Sequence, residues 1–310
     1  MNFWNASRRR FRSATNATER LEDRTLMAAD LSITTGSFLI SPPNDPSTST
    51  LTLNFTVTVK NNGDQNADLT GLANTLNDNV VLRLFASTNS TFDQNVDTQL
   101  GEFKIGEDGN TTVVLTPNQT TQVEFTAEVT ANPQNKFLLI QLDSTNLIAE
   151  GNENNNLAAF DTKDPFIGTS PIPRTIKSKK TIAMDGFALA LDLDNTDLGG
   201  SQWQIAQSNF QTGDVLSIKP TKLAAGKLKR VGDNLLVGKT TVGTFTGGLN
   251  GSSVTIAFGQ TADRALVNGV IRTLSFKSAK GAVGTRNFNL KFIDPDGNDS
   301  PTRQTTVNVV

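Results

Sequence analysis

The sequence predicts an all-β protein made of two sandwiches joined by a linker, with one short helix in the second. Three observations predict it. Apolar and polar side chains alternate at period two along both halves, as in strands with one buried face. Clusters of Gly, Asn, Asp and Pro interrupt those runs at short intervals, and these residues favour turns. The charge changes sign midway: residues 30–162 carry four bases and sixteen acids, residues 163–310 eighteen bases and eleven acids. Such asymmetry marks separate modules. At about 150 residues per domain, 310 residues accommodate two.

Residues 1–29 read as an export segment and not as part of the fold. Six Arg and three acids make this stretch basic. Ser7-Arg8-Arg9-Arg10-Phe11 is similar to a twin-arginine signal, without the apolar run that should follow it. Glu19-Arg20-Leu21-Glu22-Asp23-Arg24-Thr25-Leu26, followed by small Ala28-Ala29, resembles the "LE-D-R-x-L" start of large secreted and surface proteins of certain Gram-negative bacteria. That resemblance implies an extracellular or cell-surface location.

The first sandwich is expected over residues 30–160. Leu31 and Ile33 start a short strand. Leu51, Leu53, Phe55, Val57 and Val59 alternate with Thr and Asn and end at the turn Asn61-Asn62-Gly63-Asp64. Val80–Ser87, Val113–Leu115 and the alternating Val123, Phe125, Ala127 and Val129 add strands. Phe137–Leu142 is nearly continuous and reads as a central strand. Leu69, Leu72, Ala73 and Leu76 stand at helical spacing. About seven strands in this length indicate an immunoglobulin-like sandwich. Val59, Asn61 and Gly63, then Glu150, Asn152, Glu153, Asn155 and Asn156, match "VxNxG" and "ExNExNN". In these motifs the segment resembles the CARDB family (cell-adhesion-related domain found in bacteria), with a longer insertion at Asp64–Asp78. The resemblance implies a sandwich used in adhesion. The terminal motif itself reads as Asn and acidic side chains capping their own turns, ahead of a calcium site at Asp143, Glu150 and Glu153.

Residues 161–180 hold Pro165, Pro171 and Pro173 with Arg174, Lys177, Lys179 and Lys180. They are expected to be an extended linker. The second sandwich is expected over 181–310. Phe187, Leu189, Leu191 and Leu193 alternate. Val215–Ile218, Leu235–Val237, Val242–Phe245, Val254–Phe258, Leu274–Phe276, Phe288–Ile293 and Thr305–Val310 follow. Ala262, Leu266 and Val270 lie at i, i+4 and i+8 after Thr261, a candidate N-cap, and predict one short helix. Asp192-Leu193-Asp194-Asn195, Gly213–Ser217, Gly243–Gly248, Leu266–Phe276 and Asp294–Ser300 follow the order seen in cadherin-like repeats of bacterial outer-membrane adhesins. This half resembles those repeats, which implies a cadherin-like sandwich.

The chain has no Cys, His or Tyr. That excludes disulfides, thiol chemistry, His-dependent triads and His/Cys zinc sites. No GxSxG, HExxH or Walker A motif is present. A carboxylate pair for glycoside hydrolysis depends on separation in space, but the acids here sit in turns and at strand ends. The expected role is therefore non-catalytic, with surface proteins or glycans as partners. The acidic first half repels phosphate, which argues against nucleic acid. No apolar run approaches the roughly 18 residues that a membrane span needs. The candidate metal site is Ca²⁺ on the loop Asp294–Ser300, where Asp294, Asp296 and Asp299 supply oxygens and Gly297 turns the backbone. Asp214 is placed at the same end, and Asp192, Asp194 and Asp197 at the opposite end. A solvated Asp-Gly turn has the same sequence appearance. The alternative function is a carbohydrate-binding module using Trp203 as a stacking platform, or an accessory part of a polysaccharide-active enzyme.

Overall fold

In the computed structural model, Leu51, Leu53, Phe55, Val57 and Val59 form one face of a strand and are each at most 1% exposed. The structure describes residues 28–41, 50–70, 79–106, 113–168, 173–184 and 188–310. Residues 1–27 of the stretch 1–29 expected to serve export, and most of the Leu69–Leu76 helical pattern, lie outside the described residues. Ala29, expected outside the fold, is instead buried in the first core and bridged to Glu150.

The first half holds β1 (Leu31–Ser41), β2 (Thr50–Asn61), β3 (Ala67–Asp68), β4 (Val81–Ser87), β5 (Thr98–Lys104), β6 (Val114–Leu115), β7 (Thr120–Thr130), β8 (Phe137–Gln141) and β9 (Leu157–Asp161). Two antiparallel sheets, ordered β1-β2-β7 and β5-β4-β8-β9, are accompanied by a separate β3-β6 pair. Their inner faces share one apolar cluster that includes Leu31, Phe55, Leu82, Leu84, Leu138 and Ile140. β8 is buried through Leu138, Leu139 and Ile140 because it lies between β4 and β9. β5 was not legible in the sequence, since its residues are all half-buried or exposed and show no alternation.

The second half holds β10 (Phe166–Gly168), β11 (Arg174–Ile176), β12 (Thr181–Ala183), β13 (Leu189–Leu191), β14 (Gln202–Ser208), β15 (Val215–Ile218), β16 (Thr221–Leu223), β17 (Gly226–Val231), β18 (Asn234–Val237), β19 (Thr240–Gly247), β20 (Val254–Phe258), α1 (Arg264–Ile271), β21 (Leu274–Lys277), β22 (Gly284–Ile293) and β23 (Arg303–Val309). A nine-stranded sheet, β11-β23-β22-β14-β20-β19-β18-β17-β16, packs with the three-stranded sheet β12-β21-β15. Trp203, Phe245, Phe276, Phe288 and Phe292 are fully buried in this half. The helix is present, but its N-cap is Asp263 and not Thr261. The Asp263 carboxylate accepts the Leu266 N–H at 2.7 Å, which satisfies a helix-end donor.

The stretch 161–180 differs from the expected linker. Within it, β11 pairs in parallel with β23 and β10 pairs antiparallel with β13. Pro165 and Pro173 stand outside these short strands and leave their N–H groups free to pair. β13 also corrects the assignment of its alternating leucines. Leu189 and Leu191, together with Leu193 just beyond it, belong to the apolar cluster of the first half. Ala188 and Ala190 face the cluster of the second. β10 divides in the same way, Phe166 packing against the first cluster and Ile167 lying in the second. Because successive side chains of a strand point to opposite faces, the β10–β13 ribbon is a wall shared by both cores.

Candidate functional site: a buried carboxylate cluster

The register of two strands determines which acids meet. β14 runs antiparallel to β22, with Gln202 opposite Ile293 and Ser208 opposite Asn287. The loop entering β14 therefore lies beside the loop leaving β22. Asp192 and Asp194 come from the first loop, Asp294 from the second. One oxygen from each of the three carboxylates lies within 4.8 Å of the others. These residues are 1%, 2% and 2% exposed. The expectation that Asp192 and Asp194 occupy the opposite end is thus overturned. The same register carries Asp214 away, because it follows the far end of β14.

Asp214 pairs with Arg286 at the start of β22, Nε to Oδ2 at 2.6 Å, with both side chains at most 2% exposed. Its carboxylate also accepts the N–H groups of Ala279 (2.7 Å) and Gln211 (3.0 Å). Arg286 Nη1 donates to the carbonyls of Val283 and Gly284. This is a structural pin across the far end of the sandwich, and Asp214 does not join the cluster. Asp299 is engaged by Lys291 at 2.5 Å. Asp296 lies at the edge of the cluster, its Oδ2 3.4 Å from the Asn195 Nδ2. Asp294 is the one expected ligand that the structure brings into the group.

Each loop is shaped by its own hydrogen bonds. The Asp294 carboxylate accepts the Asn298 N–H at 2.8 Å and the Asn298 Nδ2 at 2.9 Å. Gly297 adopts φ +92° in this turn, a conformation open to Gly without a Cβ clash. Asp192 accepts the Asp194 N–H at 3.2 Å and the Asn195 Nδ2 at 3.1 Å. The buried Arg264 at the start of α1 holds this loop by its backbone: it donates to the carbonyls of Asp192 (3.2 Å), Asn195 (2.6 Å) and Thr196 (3.3 Å). From the first half, Lys136 reaches across to Asp194 at 2.9 Å.

Three carboxyls face one ammonium here. Burial drives the Asp192 carboxyl well above the usual carboxylate range, and the adjacent Asp194 and Asp294 push it the same way. Burial also raises Asp294, against the hydrogen bonds from Asn298 and Gly297. The hydrogen bond to Asp194 raises Lys136 and keeps it charged. Close, buried like charges are relieved by taking up a proton or a cation. Oxygen ligands at this density suit a hard cation such as Ca²⁺. Lys136 and Arg264 were not singled out in the sequence. A lone Lys between Asn135 and Phe137 carries no signal, and the Arg264 contacts are to backbone.

Trp203 is fully buried, packed against Phe292 with ring centroids 6.1 Å apart. It cannot offer a face to a sugar, which removes the residue on which the carbohydrate-binding alternative rested.

The two sequence motifs of the first half tie down the first strand. Asn61 is fully buried. Its Oδ1 accepts the N–H groups of Asp30 (3.1 Å) and Gly63 (3.0 Å), and its Nδ2 donates to the carbonyls of Gln65 (2.7 Å) and Leu115 (2.9 Å). A Cβ on Gly63 would stand 2.2 Å from the Ala28 carbonyl oxygen, so only Gly admits that approach. Glu150 accepts the Leu31 N–H at 2.6 Å and the Asn156 Nδ2 at 3.2 Å, and Asn155 donates to Asp30 at 2.7 Å. The motif therefore closes its own turns and also clasps β1.

Fold and site together define an all-β chain of layered, mainly antiparallel sheets with a buried carboxylate cluster beside the shared wall. Residues 28–160 match the model of the CARDB family. Comparison with curated proteins found no match. Among solved structures, the chain is similar to the T6 backbone pilin of serotype M6 Streptococcus pyogenes at 10% identity, covering 79% of this chain and 64% of that one, TM-score 0.27. It is similar to the collagen adhesin of S. aureus at 10% identity, covering 92% and 93%, TM-score 0.21. A β-glucosidase from intestinal bacteria is similar at 11% identity over 44% of this chain, TM-score 0.24. The chain spans only 16% and 15% of the first two solved structures it matches, both β-glucosidases.

Proposed function

We propose that this chain is a non-catalytic, exported surface protein of the adhesion type, which recognises protein or glycan partners and is stiffened by Ca²⁺. The observation that carries the reading is the match of residues 28–160 to the CARDB family, whose motif residues here have structural work to do. The basic, Arg-rich start of the chain supports export. Among the described residues no helix is long and apolar enough to cross a membrane. The absence of Cys and His supports a binding role over catalysis. The test is fractionation of the native protein: recovery from the medium or outer surface supports the reading, and confinement to the cytoplasm overturns it.

Ca²⁺ belongs at Asp192, Asp194 and Asp294, with Asp296 at the margin. A ligand that binds only the folded state raises the melting temperature with concentration. Titration with Ca²⁺ is expected to raise it, and the Asp192→Asn/Asp294→Asn variant is expected to lose the response. A wild-type melting temperature indifferent to millimolar Ca²⁺ overturns this part alone.

A further inference from the structure

β17 and β18 form a hairpin closed by Gly232-Asp233, with Val231 opposite Asn234. Lys227, Lys229 and Val231 alternate on the outer face of β17, and all three are exposed. Lys222, also exposed, stands directly opposite Lys227 on β16. Like charges directly opposite each other are destabilising. Among the described residues none of these lysines has a carboxylate partner. The one acid at the tip, Asp233, is taken by Arg230 at 3.1 Å. Val231, 55% exposed, stands beside this basic face as an apolar knob.

The complementary surface lies in the other half of the molecule. Among the described residues β7 pairs only with β2, which leaves its second edge without a strand partner. Glu124 and Glu128 are exposed on it, without an ion pair among the described residues. Between β5 and β7 opens a cleft of about 460 Å³, lined by Phe103, Ile105, Val123 and Phe125, with Glu124 and Lys104 also on its walls. The half that carries this edge has sixteen acids against four bases over residues 30–162.

We propose that copies of this chain associate head to tail, the Lys222–Lys227–Lys229 face of one seated on the Glu124–Glu128 edge of the next, with Val231 in the cleft between β5 and β7. The two surfaces are different patches of one chain. The contact is therefore heterologous, and repetition produces an open string of copies unless the rotation happens to close a ring. An open strand edge with unpaired N–H and C=O groups is a ready place for another chain, and opposite charge speeds and orients the encounter. A second copy is the occupant because it carries both the matching charge and the matching knob on one chain. The inference stands apart from the calcium site and does not depend on the adhesion reading.

The test is sedimentation velocity on the full chain, at about 0.01 M salt, where charges act over about 30 Å, and at about 1 M, where they act over about 3 Å. At low salt the weight-average mass should climb above one chain as concentration rises, and high salt should return it to one chain. K227E/K229E and E124K/E128K should each abolish the climb. The chain carrying all four substitutions should recover it, since the charges are then exchanged and not lost. All four positions are exposed, and recovery in the exchanged chain shows that the variants fold. A wild-type chain that stays single at every concentration overturns the proposal. So does association that ignores either charge reversal, or an exchanged chain that does not recover. A single-chain protein that instead binds a soluble polyanion such as heparin through these lysines would also overturn it and assign the face to an acidic polymer.

Discussion

At the scale of residues, the buried aspartates of the second half divide between one that holds structure and three that crowd one another. Asp214 has its charge matched by Arg286 and its oxygens filled by Ala279 and Gln211. Removing one member of such a buried pair leaves the other without compensation, which costs about 3–5 kcal/mol. Arg286→Met or Asp214→Ala should each destabilise the chain by that amount in urea unfolding. The double variant should cost less than the sum, because the stranded charge disappears with its partner. Losses below about 1 kcal/mol in the single variants would show that the pin is dispensable. Asn61 and Gly63 were legible as a motif without their reason. That reason is the proximity of Ala28–Asp30, more than thirty positions away, which period-two reading does not reveal.

At the scale of elements, β13 decides most. The sequence assigns Leu189, Leu191 and Leu193 to the second sandwich, because they follow the prolines and precede its strands. Alternation says that two faces differ, and both faces here are buried, each in another core. A Leu191→Ala change should therefore loosen the first half although it lies beyond residue 160. The expected cost is about 2–5 kcal/mol, as for other buried Leu truncations. Calorimetry should show a single transition that moves as a whole. Two separate transitions, with only the later residues affected in hydrogen exchange, would refute the shared wall. β14 and β22 are the second decisive pair. β22 was legible from Phe288 to Ile293, β14 was not among the expected strands, and neither segment announces its neighbour.

At the scale of the molecule, four carboxyls among the described residues are held above their ordinary range. Burial raises Asp143, Asp192 and Asp294, and it carries Glu150 up to about 7. The folded chain thus keeps protons that the unfolded chain releases near pH 4 to 4.5. Stability then falls with rising pH across that window. The contribution is complete below the unfolded values and lost as pH passes the folded ones, for Glu150 between about 4.5 and about 7. The melting temperature should be higher at pH 5 than at pH 8. Ca²⁺ should narrow the gap at the Asp192–Asp294 end and leave the Glu150 part in place. A flat or inverted profile without metal would contradict the upward shift that burial gives these carboxyls.

The amino-acid order alone determined that this is a β protein. Side-chain alternation and turn chemistry are local, acting over two to four residues, and they mark β2, β8, β20 and β22 wherever those strands end up. They also mark the two turns of the first half and the Asp-Gly loop of the second. Only the tertiary structure decided that Asp294 meets Asp192 and Asp194, that Asp214 goes to Arg286, that Trp203 is sealed in, and that Phe166–Gly168 and Arg174–Ile176 join the sheets. Those outcomes depend on which strands become neighbours and in what register. That choice is made by contacts far apart in the chain, where a period of two says which way a side chain points and nothing about what it meets.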